Sequence, residues 1–248
     1  MPSLRVLNGG TGNTMLLLLP HAGGNHGSFR RWPSGLPPEV TVLAACYPAR
    51  LDRLADPPVA TVEAMAAEIE ADLATLPSGP LVVFGHSMGS FVGVELCERL
   101  QRSGRSVSLF VASGSHAPHR HRPRRIVSAG VEAVVADVVR LNPGAGVVLA
   151  DPDLRELLLP SIVGDYTAVE LYARPSPPVL DCDIVVYSGT ADPLLDPADG
   201  ARWAECTRRR FEHHVFDGDH FFTESSLDSV LADLRARLAD LSSSKAAA

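Results

Sequence analysis

Apolar residues come in short unbroken runs along this chain, and most runs end at a glycine, a proline or a polar turn. Met15–Leu19 is such a run, closed by Pro20, and residues 40–46, 81–84, 106–112 and 184–188 repeat the pattern. Runs this short and apolar over most of their length predict strands buried on both faces. Residues 210–216 predict a last strand. Between the runs the period lengthens. Met65, Ile69, Leu73 and Leu76 recur at helical spacing with acids on the other face, which predicts an amphipathic helix over 62–76. Helices are likewise predicted over 90–100, 197–206 and 227–241. Strands alternating with helices imply parallel crossovers and a sheet covered on both faces. The rhythm breaks after residue 116. There 126–141 predicts one helix and 154–172 one or two more, separated by Asn-Pro-Gly-Ala-Gly at 142–146, with no strand. The expected organisation is an α/β core, residues 1–115 and 176–248, carrying a helical insertion, 116–175. An insertion of that length between strands suits a lid over a site. Residues 242–248 read as a frayed tail.

The run at 81–84 leads directly into Gly85-His86-Ser87-Met88-Gly89, and a helical pattern follows. Strand, sharp turn and helix put Ser87 at an apex where its hydroxyl stands clear of the backbone. Glycines at 85 and 89 suit a place where strand and helix pass too closely for side chains. This is the nucleophile elbow of α/β-hydrolases, so the expected fold class is α/β, with a mostly parallel central sheet flanked by helices and a helical lid. In that fold the oxyanion is held by the N–H after the nucleophile and by one from the loop after an earlier strand. Here those are Met88 and Ala22, the latter in His21-Ala22-Gly23-Gly24. His21 is expected to brace that loop.

Serine needs a base to take its proton, and the base needs an acid to fix its tautomer. His220 follows the last predicted strand and is the expected base. His213 and His214 lie within that strand, His119 and His121 lie in the insertion, and the His86 side chain is expected to leave the turn in another direction. Asp192, in Gly189-Thr190-Ala191-Asp192-Pro193, sits at a strand end and is the expected acid. Asp196 is the nearest competitor. Asp217 and Asp219 stand too close to His220 in sequence to be favoured.

Five stretches together resemble the type II thioesterases that accompany polyketide synthases and nonribosomal peptide synthetases. They are Leu19-Pro20-His21-Ala22-Gly23-Gly24; Tyr47-Pro48-Ala49-Arg50 with Arg53; the elbow; residues 150–160; and Gly218-Asp219-His220-Phe221-Phe222. The resemblance implies an editing hydrolase that removes acyl groups from the phosphopantetheine arm of an acyl or peptidyl carrier protein, with no metal or cofactor. Two positions depart from the family pattern. Ala49 stands where glycine is usual, and Asp219 places an acid beside the base, where it could compete with Asp192.

Composition narrows the picture further. The chain has 248 residues and a net charge of −7, which argues against general nucleic-acid binding. No run is long enough to span a bilayer, and residues 1–13 do not read as a signal peptide. The four scattered cysteines fit neither a zinc site nor a disulfide scaffold, so a cytoplasmic setting is expected. A monomer is expected. Against the acidic whole, residues 119–125 are densely basic, and Arg120, Arg122, Arg124 and Arg125 are candidate docking residues for an acidic carrier protein. Two other functions use the same residues. One is an esterase or acyltransferase acting on free small molecules, since the fold does not fix the substrate. The other is a non-catalytic binding protein of the same fold.

Overall fold

The apolar runs become strands in the computed structural model, which describes residues 2–246. In chain order they are β1 (Leu4–Val6), β2 (Met15–Leu19), β3 (Thr41–Ala45), β4 (Leu81–His86), β5 (Leu109–Ser113), β6 (Asp183–Gly189) and β7 (Phe211–Phe216). They form one seven-stranded sheet in the order β1-β3-β2-β4-β5-β6-β7. Every pairing is parallel except β1 against β3. The strand order reverses direction at β2 and β4, which lie side by side. Their C-terminal ends therefore open a crevice, the usual place for a ligand in such a sheet.

Both faces of the sheet are covered, which is why the runs are apolar over most of their length. Leu17, Leu19 and Val83 pack with α1 (Val62–Leu73) and α2 (Met88–Arg102) on one face. Leu16, Leu18, Val82 and Phe84 pack on the other with Phe29, Trp32 and α7 (Leu227–Ala246). Each fully buried aliphatic side chain contributes roughly 2 kcal/mol to the folded state.

Between β5 and β6 the chain is helical. It forms α3 (Val131–Leu141), α4 (Ala145–Leu149) and α5 (Pro152–Leu171). These helices share an apolar cluster of their own around Val134, Leu149 and Ile162. The single helix expected over 126–141 is broken: a 3-10 turn at Val127–Ala129 is followed by Gly130 at φ 100°, and only then does α3 begin. Gly130 interrupts no apolar periodicity, but its backbone sits where a side chain rarely fits. The two sequence-predicted termini also differ. β1 is an extra antiparallel edge strand, and α7 runs on to Ala246, through part of the expected tail. No glycine or proline stops the helix there. Residues 247 and 248 of that expected tail lie outside the described residues. A short α6 (Phe222–Ser225) links β7 to α7. Among the described residues no helix is long and apolar enough to cross a membrane.

Candidate active site

Ser87 joins β4 to α2 with φ 54° and ψ −117°, a conformation that side chains rarely adopt. The two glycines of the elbow explain how the turn closes. A Cβ on Gly85 would lie 2.2 Å from the Gly89 carbonyl oxygen, and one on Gly89 would lie 2.1 Å from the Leu19 carbonyl oxygen. The second contact presses the elbow against the end of β2, the strand that leads into the Ala22 loop. The Ser87 N–H donates to the Ser113 carbonyl at 2.7 Å, and the Ser90 hydroxyl donates to Gly85 O at 2.8 Å. No side-chain hydrogen bond from Ser87 caps α2. The first amides of α2 have no partner within the helix, and Met88 is among them.

His220 follows β7, and its Nδ1 lies 2.9 Å from Asp192 Oδ2, with the two side chains 2% and 0% exposed. The other carboxylate oxygen of Asp192 accepts the Leu194 N–H at 2.8 Å. The competing acids have local roles. Asp196 accepts the Ala198 N–H as a helix cap, Asp217 accepts from the Thr190 hydroxyl, and Asp219 accepts the Phe221 N–H. The other histidines are also engaged. His213 meets Ser188 on one face of β7 and His214 meets Asp233 on the other, while His121 meets the Val169 carbonyl.

Ser87, Met88, Ala22 and His220 line one cavity of about 760 Å³. Its apolar walls come from the helical insertion: Val138 and Leu141 from α3, Leu149 from α4, and Leu158, Ile162 and Val169 from α5. Arg120, Arg122 and Arg124 also line it, whereas Arg125 is not among the lining residues. Arg124 is tied to Asp137 through both guanidinium nitrogens, at 3.0 and 2.5 Å, and Arg120 lies 3.8 Å from Glu205. Among the described residues no cluster of histidine, cysteine or carboxylate side chains is arranged to hold a metal ion.

One neighbour of His220 escaped the sequence reading. His86 does not leave the site; its ring centroid lies 5.2 Å from that of His220, and its Nδ1 lies 3.0 Å from Ser113 Oγ. Only the sheet order, which puts β5 beside β4, could have revealed this. The His21 ring also lies in this group, edge-on against Phe221 at 4.9 Å between centroids. Both are held neutral. Burial, and then the proximity of His220, lowers His21 to about 3 and His86 well below the ordinary histidine range. A charged neighbour here would disfavour a positive charge on His220.

This neutrality has a measurable consequence for stability. The unfolded chain takes up a proton on each of these histidines near pH 6.5, and the folded chain does not. Stability is therefore full well above pH 6.5 and falls as pH drops toward the depressed folded values, most for the buried His86 and less for His21, which borders the cavity. The urea midpoint should fall markedly from pH 7 to pH 5, and His86→Gln should flatten that slope. A midpoint that does not change over this range would contradict the neutral burial.

Compared with known proteins, residues 14–238 match the thioesterase domain family. A probable cadicidin biosynthesis thioesterase of Streptomyces griseus is 34% identical over 90% of this chain, which spans 62% of that protein's length. Thioesterase PikA5 of Streptomyces venezuelae is also 34% identical over 90% of this chain, covering 80% of that protein. The solved structure of the type II thioesterase BorB from the borrelidin biosynthetic cluster superposes with a TM-score of 0.87. It is 32% identical, and the match covers 95% of this chain and 97% of that one.

Proposed function

Because the chain belongs to the thioesterase family, as a type II thioesterase of the kind that serves polyketide and nonribosomal peptide pathways, we propose that it clears acyl groups from the phosphopantetheine arm of a carrier protein. The observation that carries this reading is the buried Asp192–His220 pair, whose His220 lines the same cavity as Ser87. In the proposed reaction His220 takes the Ser87 proton and Ser87 Oγ bonds to the thioester carbonyl carbon. The amides of Ala22 and Met88 hold the oxyanion. The C–S bond breaks as the carbonyl re-forms, and the thiol, with a pKa near ~8.5, leaves readily. Water activated by His220 then releases the acid and restores Ser87. Residues 116–175 act as the lid, and their apolar side chains receive the acyl chain. We place the protein in the cytoplasm, a compartment that suits its free and buried thiols at Cys46, Cys97, Cys182 and Cys206.

The direct test is intact mass spectrometry of carrier proteins loaded with acyl groups of increasing length, before and after incubation. Loss of the acyl mass, with the phosphopantetheine arm retained, is expected. Cleavage of nitrophenyl esters with acyl-carriers left untouched would favour an esterase of free small molecules.

Carrier docking through the basic segment becomes a sharper proposal in the structure. Arg124 pairs with the buried Asp137, so reversing it would disturb the fold, and Arg120 and Arg122 line the cavity. Arg125 is exposed and does not line the cavity, so it is the one to change. Arg125→Glu should raise KM for acyl-carriers by about threefold through lost steering and charge pairing. KM for acyl-pantetheine should stay unchanged. Equal effects on both substrates would remove the docking idea.

A further inference from the structure

Beneath the Ala22 loop lies a buried ion pair that the reaction does not use directly. The Arg50 guanidinium holds Asp165 through two nitrogens, each at 2.7 Å, and the side chains are 5% and 2% exposed. The pair also grips the loop backbone on both sides. Asp165 Oδ2 accepts the Gly23 N–H at 2.7 Å, and Arg50 donates to the Gly24 carbonyl at 2.9 Å. Arg50 is itself fixed by donating from Nε to the Pro48 carbonyl at 3.0 Å. The chain accepts backbone strain to deliver it: Ala49 and Leu51, on either side, have φ 61° and 45°. Such conformations in residues with side chains cost about 1 kcal/mol or more each. The alanine that departs from the family pattern therefore sits in a glycine-like conformation without a glycine.

Asp165 belongs to α5, which also supplies cavity wall through Leu158, Ile162 and Val169. Ile162, one turn earlier, packs onto the same loop; a Cβ on Gly23 would lie 3.1 Å from Ile162 Cγ1. One helix thus touches the acyl chain's place and the oxyanion loop at once. We infer that Arg50 and Asp165 are positioning residues that set the oxyanion hole, so that the hole is formed only while α5 is seated. An acyl chain that lifts α5 loses the hole, and selection among acyl chains is then expressed in kcat as well as in KM. The inference rests on the reading of Ala22 as an oxyanion donor, the amide one peptide before the gripped Gly23.

The test separates the two. A trifluoromethyl ketone analogue of acyl-pantetheine is attacked by Ser87, with the proton passing to His220 and the negative charge to the ketone oxygen. An unreactive ether analogue is not attacked. The wild-type protein should bind the ketone at least about 100-fold more tightly than the ether, as expected where a hole holds an oxyanion. Arg50→Lys keeps the charge and loses the fork. The double variant Arg50→Met with Asp165→Leu replaces the pair with apolar groups and avoids leaving one buried charge unpaired. Each, once shown folded by circular dichroism, should lose about 10- to 100-fold in kcat with KM within about threefold, as for a slightly misplaced donor. Ketone affinity should fall by the same factor, and ether affinity should not change.

Folded variants that keep wild-type kcat and ketone affinity overturn the inference while leaving the hole intact. No ketone preference in the wild type sinks the hole itself. A wild-type arm needs no variant: amide exchange at Gly23 and along 158–170 should slow together when the ketone binds. Slowing at one without the other also overturns the coupling.

Discussion

Ser87→Ala should lower kcat for acyl-carrier hydrolysis by about 10⁵- to 10⁶-fold, the loss seen when a serine nucleophile that acts as a unit with its base is removed. The residual rate should still exceed that in water, because the proposed oxyanion donors and the cavity remain. Folding should be nearly untouched. No side-chain hydrogen bond caps α2 from this position, and alanine meets the same backbone restriction at φ 54° that serine does. Ser87→Gly should be equally inactive yet about 1 kcal/mol more stable than Ser87→Ala, because glycine adopts that conformation without strain. The order of the two urea midpoints checks the strain, and fluorophosphonate labelling checks the nucleophile. Hydrolysis by Ser87→Ala within tenfold of the wild type would mean that another group attacks the thioester.

The parts of the fold that a reader could extract from the sequence are those where one physical requirement dominates locally. Met15–Leu19 must satisfy two apolar layers, so it carries no polar residue and reads as a buried strand. The elbow is legible because steric closeness at Gly85 and Gly89 forces both residues. Where requirements are weak or distant, the reading runs out. β1 is three residues long, pairs antiparallel at the edge and is only partly covered, so it has no alternation to detect. Gly130 costs a helix about 1 kcal/mol, too little to mark a break without knowing its φ. The Arg50–Asp165 pair joins residues 115 positions apart, and nothing in either neighbourhood announces the other. Ser87, Asp192 and His220 could each be singled out because each follows the end of a predicted strand. Their mutual placement, and the intrusion of His86, depend on strand order, which the order of motifs along the chain does not encode.

Asp192→Asn should be the second most damaging substitution, and the reason lies in the second oxygen of the carboxylate. Oδ1 accepts the Leu194 N–H at 2.8 Å while Oδ2 faces His220 Nδ1 at 2.9 Å. Asparagine must keep its oxygen on the Leu194 amide, or two donors would meet in a fully buried space. Its NH₂ group is then forced toward Nδ1 of His220. A donor there stabilises the tautomer with its proton on Nε2, the nitrogen that has to accept the proton of Ser87. The site keeps its shape, but the base is in the wrong form, and an imidazolium would no longer have a carboxylate beside it. Activity should fall by about 10⁴-fold. The cavity should be intact, so affinity for an unreactive ether analogue should stay within a few-fold of wild type, and fluorophosphonate labelling of Ser87 should slow in parallel with hydrolysis. Asp196→Ala, by contrast, removes only a helix cap and should cost about 1 kcal/mol of stability with little change in rate. If Asp192→Asn keeps a tenth or more of wild-type activity, the acid lies elsewhere, and the buried contact with His220 serves only to pack the loop after β6.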